Sequence, residues 1–222
     1  MHYSVKKIKE DILADNIEKA IKLRDYLKEE KIFLLNVMSS PGSGKTTLLS
    51  RVINKLKEKY TIGVIEADID GEEDARTIAE RTGVKTMQIQ TMGTCHLTAQ
   101  MVTEAIEQFD PKGIDLLIIE NIGNLVCPAE FDTGSDLNLV LLSVPEGDDK
   151  PLKYPLMFEV AHLIAITKLD VAPVFDFDRE SAIKNIHYRN KDAEIFFTSK
   201  NDEKSYDSLI ARLDELVAKK IR

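Results

Sequence analysis

The chain has no tryptophan, two cysteines, four histidines and no excess of positive charge. Two thiols, Cys95 and Cys127, cannot build the disulfide framework of a small secreted domain, so in a reducing compartment they are core thiols or metal ligands. A net charge of −8 argues against a general binder of nucleic acid or of an anionic membrane, which would need a basic face, and leaves room only for local basic patches. No apolar run approaches the roughly 20 residues of a membrane span. The N-terminus, MHYSVKKIKEDILADNIEK, carries charges every few residues in place of the continuous apolar core of a signal peptide. The expected setting is cytoplasmic, with neither nucleic acid nor membrane as partner. Internal repeats and low-complexity tracts are also lacking.

What is present is 222 residues with 43% hydrophobic content, enough for one sizeable core. From Val5 to Leu27 the apolar positions Val5, Ile8, Ile12, Ile17, Ala20, Ile21 and Leu27 recur at spacings near three and four. This pattern predicts an amphipathic helical arm over residues 1–30, as one helix or as two divided near Asp15. Residues 31–222 then alternate two periods. Strand-length apolar runs (IFLLNVM, TIGVIEA, VKTMQIQ, IDLLIIE, LNLVLLSV, HLIAIT and EIFF) are separated by helical segments at Thr46 to Lys57, Glu73 to Arg81, Leu97 to Phe109, Asp178 to Tyr188 and Glu203 to Lys220. Strands apolar on both faces, alternating with helices, predict an α/β, doubly wound, mostly parallel sheet. The stretch SVPEGDDKPLKY, Ser143 to Tyr154, reads as a long polar surface loop.

Ligands of such a sheet gather at the carboxyl ends of its strands. There, SSPGSGKTT places Gly42 and Gly44 where backbone amides must approach phosphate oxygens, and then opens a helix whose N-terminus favours an anion. Ser40, Pro41, Gly42, Ser43, Gly44, Lys45, Thr46 and Thr47 form the expected phosphate loop. Lys45 would reach the β and γ phosphates, and Thr46 would offer its hydroxyl to magnesium. Ser39 stands where the general GxxxxGK[ST] pattern has its first glycine.

The base is addressed by ITKLD, which resembles the NKxD element of GTP-binding proteins. Asp170 can accept from both N1–H and the 2-amino group of guanine, whereas adenine would leave that carboxylate unpaired. Lys168 would lay its stem along the base, and Thr167 replaces the usual Asn. Ser199 and Lys200 of FFTSKND resemble the element that closes over guanine. On the phosphate side, Asp68 ends GVIEAD and Glu120 ends the strand in LLIIENIG. Glu120 is the expected magnesium acid. Asp68 would hold the ion through water or orient the attacking water, with Asp70 competing for that role, and Gly123 would sense the γ-phosphate.

TMGTCHLT and NLVCPAE follow two of the expected strands, so Cys95, His96 and Cys127 emerge at the same sheet edge. Two thiolates and an imidazole suit nickel or zinc rather than magnesium. Burial of the thiols and helix capping by His96 are the ordinary alternatives. His162 and His187 read as structural or solvated.

Taken together, SSPGSGKTTLL, TCHL, IENIGNLVCPAEFDTG and EGDDKPLKYP resemble the HypB family, the nickel-inserting GTPases of nickel-iron hydrogenase maturation, from about Lys31 to the C-terminus. The resemblance implies a P-loop GTPase that hydrolyses GTP and forms a homodimer around nucleotide. It places Cys95, His96 and Cys127 in a nickel or zinc site at the dimer interface, and it implies the hydrogenase large subunit and another nickel-maturation protein as partners. The Cys-Pro-His motif of the related urease GTPases is missing. So is the N-terminal cysteine motif or His-rich stretch of some family members, His2 being the only histidine there. A small-molecule kinase or ligase on the same phosphate loop is the alternative from the enzyme class, and a urease-type nickel GTPase is the alternative within the related families. A metal buffer using nucleotide only structurally is the alternative from the binding class.

Overall fold

The computed structural model describes residues 8–69, 71 and 73–222, with side chains from residue 10 onward. The expectations for His2, Val5, Asp70 and the side chain of Ile8 lie outside the described residues. Among the described residues there are seven strands: β1 (Phe33–Ser39), β2 (Ile62–Asp68), β3 (Lys85–Gln90), β4 (Leu116–Glu120), β5 (Leu137–Ser143), β6 (Leu163–Thr167) and β7 (Glu194–Phe197). They form one sheet in the order β3-β2-β4-β1-β5-β6-β7, every pair parallel. The seven apolar runs are thus all strands, and the sheet is entirely parallel.

The helices in chain order are α1 (Ile8–Glu29), α2 (Lys45–Leu56), α3 (Glu73–Thr82), α4 (Ala99–Phe109), α5 (Cys127–Glu130), α6 (Lys150–Lys153), α7 (Pro155–Glu159), α8 (Ala172–Phe175), α9 (Arg179–Arg189) and α10 (Asp207–Ile221). Side chains alternate across a strand, so one run can serve two cores. In β1, Phe33, Leu35 and Val37 join Leu49, Ile53, Leu209 and Leu213 of α2 and α10. Leu34 faces the other way, toward Leu27 of α1 and Ile106 of α4. Burying each such side chain contributes about 1.5–3 kcal/mol. The connection leaving β1 runs to one side of the sheet, and that leaving β4 crosses to the other. This places a crevice at their carboxyl ends.

Two local expectations are resolved. Helix α1 passes through Asp15 as a single helix, and its inward stripe is Asn16, Ala20, Leu23 and Leu27. Those spacings of four, three and four form one face, which leaves Ile12, Ile17 and Ile21 about half exposed on another. The stretch from Ser143 to Tyr154 is not an irregular surface loop. A 3-10 turn at Val144–Glu146 is closed by a reciprocal cap: Glu146 accepts from the Ser143 amide at 2.9 Å and from its hydroxyl at 2.7 Å. Helix α6 follows, and Ser143, Val144 and Pro151 are buried.

Gly63 in β2 lies beneath Phe109 of α4, where a Cβ would come within 2.5 Å of the ring. Gly63→Ala must therefore displace a buried aromatic, at a cost of about 1–3 kcal/mol. In urea unfolding the midpoint should fall with the slope unchanged; an unaltered midpoint would mean that the ring can yield.

Candidate functional site

The phosphate loop joins β1 to α2. Gly42 and Gly44 have φ of 70° and 98°, left-handed values that a side chain would strain, and Gly44 is the N-cap of α2. Ser39 is fully buried and satisfied on every side. Its hydroxyl donates to the Ser40 carbonyl at 2.8 Å and accepts from Ser43 Oγ at 2.5 Å and from Lys45 Nζ at 3.1 Å. The hydroxyl that replaces glycine therefore braces the loop and aims Lys45. Ser40 Oγ donates to Glu146, which ties the loop to the turn after β5. Pro41 is exposed, and Thr46 and Thr47 are half-buried.

Beside the loop is a cleft of about 220 Å³ lined by Lys45, Glu66, Asp68, Asp74, Glu120 and Gly123, among others. Glu66 and Glu120 stand opposite each other in the β2–β4 register, 2% and 1% exposed. Carboxylate oxygens of Glu66, Asp74 and Glu120 lie within 4.8 Å of one another. Lys45 Nζ is 3.9 Å from Glu120, and Thr46 Oγ1 donates to Asp74 at 3.1 Å. Burial, then the neighbouring Glu120, pushes Glu66 up to about 8. Burial pushes Glu120 up to about 7 against the opposing charge of Lys45. One buried oxygen of each acid has no hydrogen-bond partner. Orphaned carboxylate oxygens converging beside a threonine hydroxyl are the donor set of a hard cation, so these residues fit magnesium.

Asp68 lines the same cleft and accepts from the Gly71 amide at 2.9 Å. Gly123 packs so closely on the phosphate loop that a Cβ there would lie 3.0–3.1 Å from Pro41 atoms. Glu66 and Asp74 were missed in the sequence, although a glutamate inside the apolar run IGVIEAD was a legible signal.

The residues expected at the base meet the loop from the ends of β6 and β7. Thr167 Oγ1 donates to the Ser43 carbonyl and Lys168 Nζ to the Gly42 carbonyl, both at 2.6 Å. Lys168 holds a left-handed φ of 60°, a strained conformation for lysine. Asp170 accepts from Ser199 Oγ at 3.1 Å and is exposed, as is Lys200.

Cys95, His96 and Cys127 converge with ligand atoms within 4.8 Å of one another, all half-buried. The Cys127 thiol and then burial raise the Cys95 pKa. Burial lowers that of His96, which favours the neutral imidazole that can ligate a metal. The His96 ring stacks on Phe131 at 3.9 Å, and Asn124 Nδ2 donates to the Cys95 carbonyl at 3.3 Å. Neither Phe131 nor Asn124 was singled out in the sequence. His162 accepts from the Asn138 amide at 3.0 Å, and His187 is exposed on α9.

An entirely parallel sheet with this loop, acid cleft and base-side contact defines a P-loop nucleotide-binding protein of the GTPase type. Residues 33–197 match the family model described as CobW/HypB/UreG, nucleotide-binding domain. The chain belongs to this family and, within it, to the HypB hydrogenase maturation factors.

The HypB factor of Rhizobium leguminosarum bv. viciae is 42% identical over 96% of this chain and 71% of its own length. That of Azotobacter vinelandii is 45% identical over 87% of this chain, which spans 63% of the relative's length. The hydrogenase/urease maturation factor HypB of Helicobacter pylori is 42% identical over 90% and 84%. A crystal structure of HypB from Helicobacter pylori in complex with nickel superposes with a TM-score of 0.87, at 38% identity over 94% of this chain and 97% of that one. The Archaeoglobus fulgidus HypB structure gives 0.85, at 35% identity over 92% and 100%. Among the described residues no helix is long and apolar enough to cross a membrane.

The paired acids make a pH prediction. Both have folded pKa values above the ordinary carboxylate value. Below about 4.5 they are protonated in folded and unfolded chains alike, and burial carries no charge penalty. As pH rises toward 8 the unfolded chain ionises first, so the metal-free protein loses stability across that window. Glu66→Gln keeps the shape and removes one titration. In urea unfolding with chelator, it should lose less stability than the parent between pH 5 and 8, by on the order of 1–3 kcal/mol. Equal losses would show that Glu66 ionises freely.

Proposed function

We propose that this chain is a GTP-hydrolysing nickel metallochaperone for nickel-iron hydrogenase maturation, in which nucleotide state controls dimerisation and metal binding. The observation that carries this reading is the segment from Glu120 to Cys127. It begins in the acid cleft, touches the phosphate loop at Gly123 and ends in the thiol-imidazole trio.

Lys45 and the loop amides would hold the β and γ phosphates, with Thr46, Glu120 and Asp68 on the magnesium side. Glu66 and Asp74 complete the carboxylate set. Magnesium, when bound, would supply neutralisation of phosphate charge. Asp68 would orient the water for attack on the γ-phosphorus, and Gly123 would follow the departing phosphate. Asp170, braced by Ser199, would accept from the guanine edge, with Lys168 and Lys200 flanking the base. Without a supplied arginine, turnover is slow, which suits a conformational cycle.

Nickel is the cargo, held by Cys95, His96 and Cys127, and zinc competes for the same thiolates. A Helicobacter pylori HypB was crystallised with nickel, which supports this ligand class here. A homodimer would bring two copies of the trio together. The hydrogenase large subunit and another nickel-maturation protein are the proposed partners, and the setting is cytoplasmic. A kinase or ligase reading would require a phosphorylated or ligated small-molecule product; the metal trio beside the phosphate-loop segment favours the chaperone.

Nickel and zinc titrated by calorimetry should bind the GDP form and the GTP-analogue form with different affinities, and Cys95→Ala or Cys127→Ala should abolish most of the binding. Equal affinities in both states would end the coupling mechanism. Asp170→Asn should weaken GTP far more than ATP, by one to two orders of magnitude, because only guanine pairs with that carboxylate. Equal losses for both nucleotides would remove the guanine assignment.

A further inference from the structure

Two loops with no strand pairing between them build the thiol-imidazole trio. Cys95 and His96 precede α4, while Cys127 opens α5. Their separation has to be held by contacts that reach both. One comes from α1, far away in sequence. Asn16 Oδ1 accepts from the Ala99 amide at 2.8 Å, and Asn16 Nδ2 donates to the Asp132 carbonyl at 2.8 Å.

Ala99 is the first residue of α4, three beyond His96, and its N–H has no partner within the helix. The Thr98 hydroxyl caps Met101 instead, so the carboxamide of Asn16 supplies the missing acceptor. On the other side, Asp132 follows Phe131, the residue stacked on His96. Arg24, two turns further along α1, also grips the second loop, through the Asp132 carboxylate at 2.5 Å and the Ser135 carbonyl at 3.2 Å.

Asn16 is 4% exposed in the interior of a helix. Asparagine is a poor helix former there, and an unpaired buried carboxamide is costly. Both liabilities are offset by the two bonds it makes between the loops.

We infer that Asn16 is a positioning residue for the metal site: together with the Asn124–Cys95 bond and the His96–Phe131 stack, its carboxamide fixes the spacing between the Cys95–His96 loop and the segment from α5 to Asp132. The inference rests on the reading that this trio binds metal. A metal–thiolate bond is about 2.3 Å long, so small changes in loop spacing alter ligation. Groups that orient metal ligands from outside the coordination sphere typically contribute 10–100-fold to affinity.

The test uses the full chain with nickel, zinc and cobalt(II) as probes. Asn16→Ala should weaken nickel and zinc binding about 10–100-fold and change the cobalt(II) absorption bands, which report ligand geometry. Asn16→Asp keeps the acceptor for Ala99 and loses the donor to Asp132, so it should fall between parent and alanine. Leu27→Ala softens the buried end of the same helix and keeps Asn16, so parental affinity and spectrum are expected. GDP affinity should be the same in all four proteins.

Parental affinity and bands in Asn16→Ala would overturn the inference, as would an equal loss of metal affinity in Leu27→Ala. If Asn16→Ala does not fold, the aspartate variant decides by the same criteria. If the parent itself binds none of the three metals, the inference falls together with the metal-site reading, an outcome distinct from failure of the asparagine variants alone.

Discussion

Hydrogen bonding between β1 and β4 runs in register from Phe33 against Leu116 to Val37 against Glu120, and the Asn121 amide continues it to the Val37 carbonyl at 2.9 Å. The phosphate loop leaves β1 just past this last rung, and the segment bearing Gly123 and Cys127 leaves β4 at it. On the other side of β4, its ladder with β2 sets Glu66 opposite Glu120. A slip of one residue would turn Glu120 to the opposite face and separate it from Lys45 and Glu66. The phosphate loop, the paired acids and the segment bearing Cys127 are thus placed by the two ladders that flank β4.

That placement has an electrostatic cost. Two acids share the interior with one lysine, and each keeps an orphaned oxygen. Packing favours their neutral forms, whereas a cation would favour their charged forms. A protein whose acid pair changes state when its ligand arrives gains a strong dependence of conformation on that ligand. Nearby, buried amides hold the strands together: Asn36 donates to Asn138 at 3.0 Å and accepts from Asn121 at 3.1 Å. Asn121 in turn accepts from the Ile122 amide at 2.9 Å, which fixes the start of the segment leading to Gly123.

The sheet was legible because every strand is an apolar run of the right length between helical periods, and such runs are hard to place anywhere but a buried parallel sheet. The phosphate loop and the convergence of Cys95, His96 and Cys127 could be read because glycine, lysine and thiol chemistry is specific and strand ends share an edge. A glutamate inside the apolar run of β2 signalled that Glu66 is unusual, but its position opposite Glu120 comes from a β2–β4 pairing that no local pattern reveals. Asn16 and Phe131 were invisible for a similar reason, their partners being distant in sequence or merely stacked. In helix α1 the isoleucines Ile12, Ile17 and Ile21 lie on a half-exposed face, whereas the face it buries contains the polar Asn16, so hydrophobicity alone does not mark its inward side.

The carbonyls of Gly42 and Ser43 are already taken by Lys168 and Thr167. These cross-links restrain a glycine-rich segment that would otherwise wander through many backbone states. The restriction is met once, on folding, and not each time a nucleotide arrives, so more of the binding free energy survives as affinity. It also joins the glycine-rich loop to the end of β6 as one mechanical piece. In the proposed function, contacts to the phosphates and to guanine would therefore form and release as one mechanical unit.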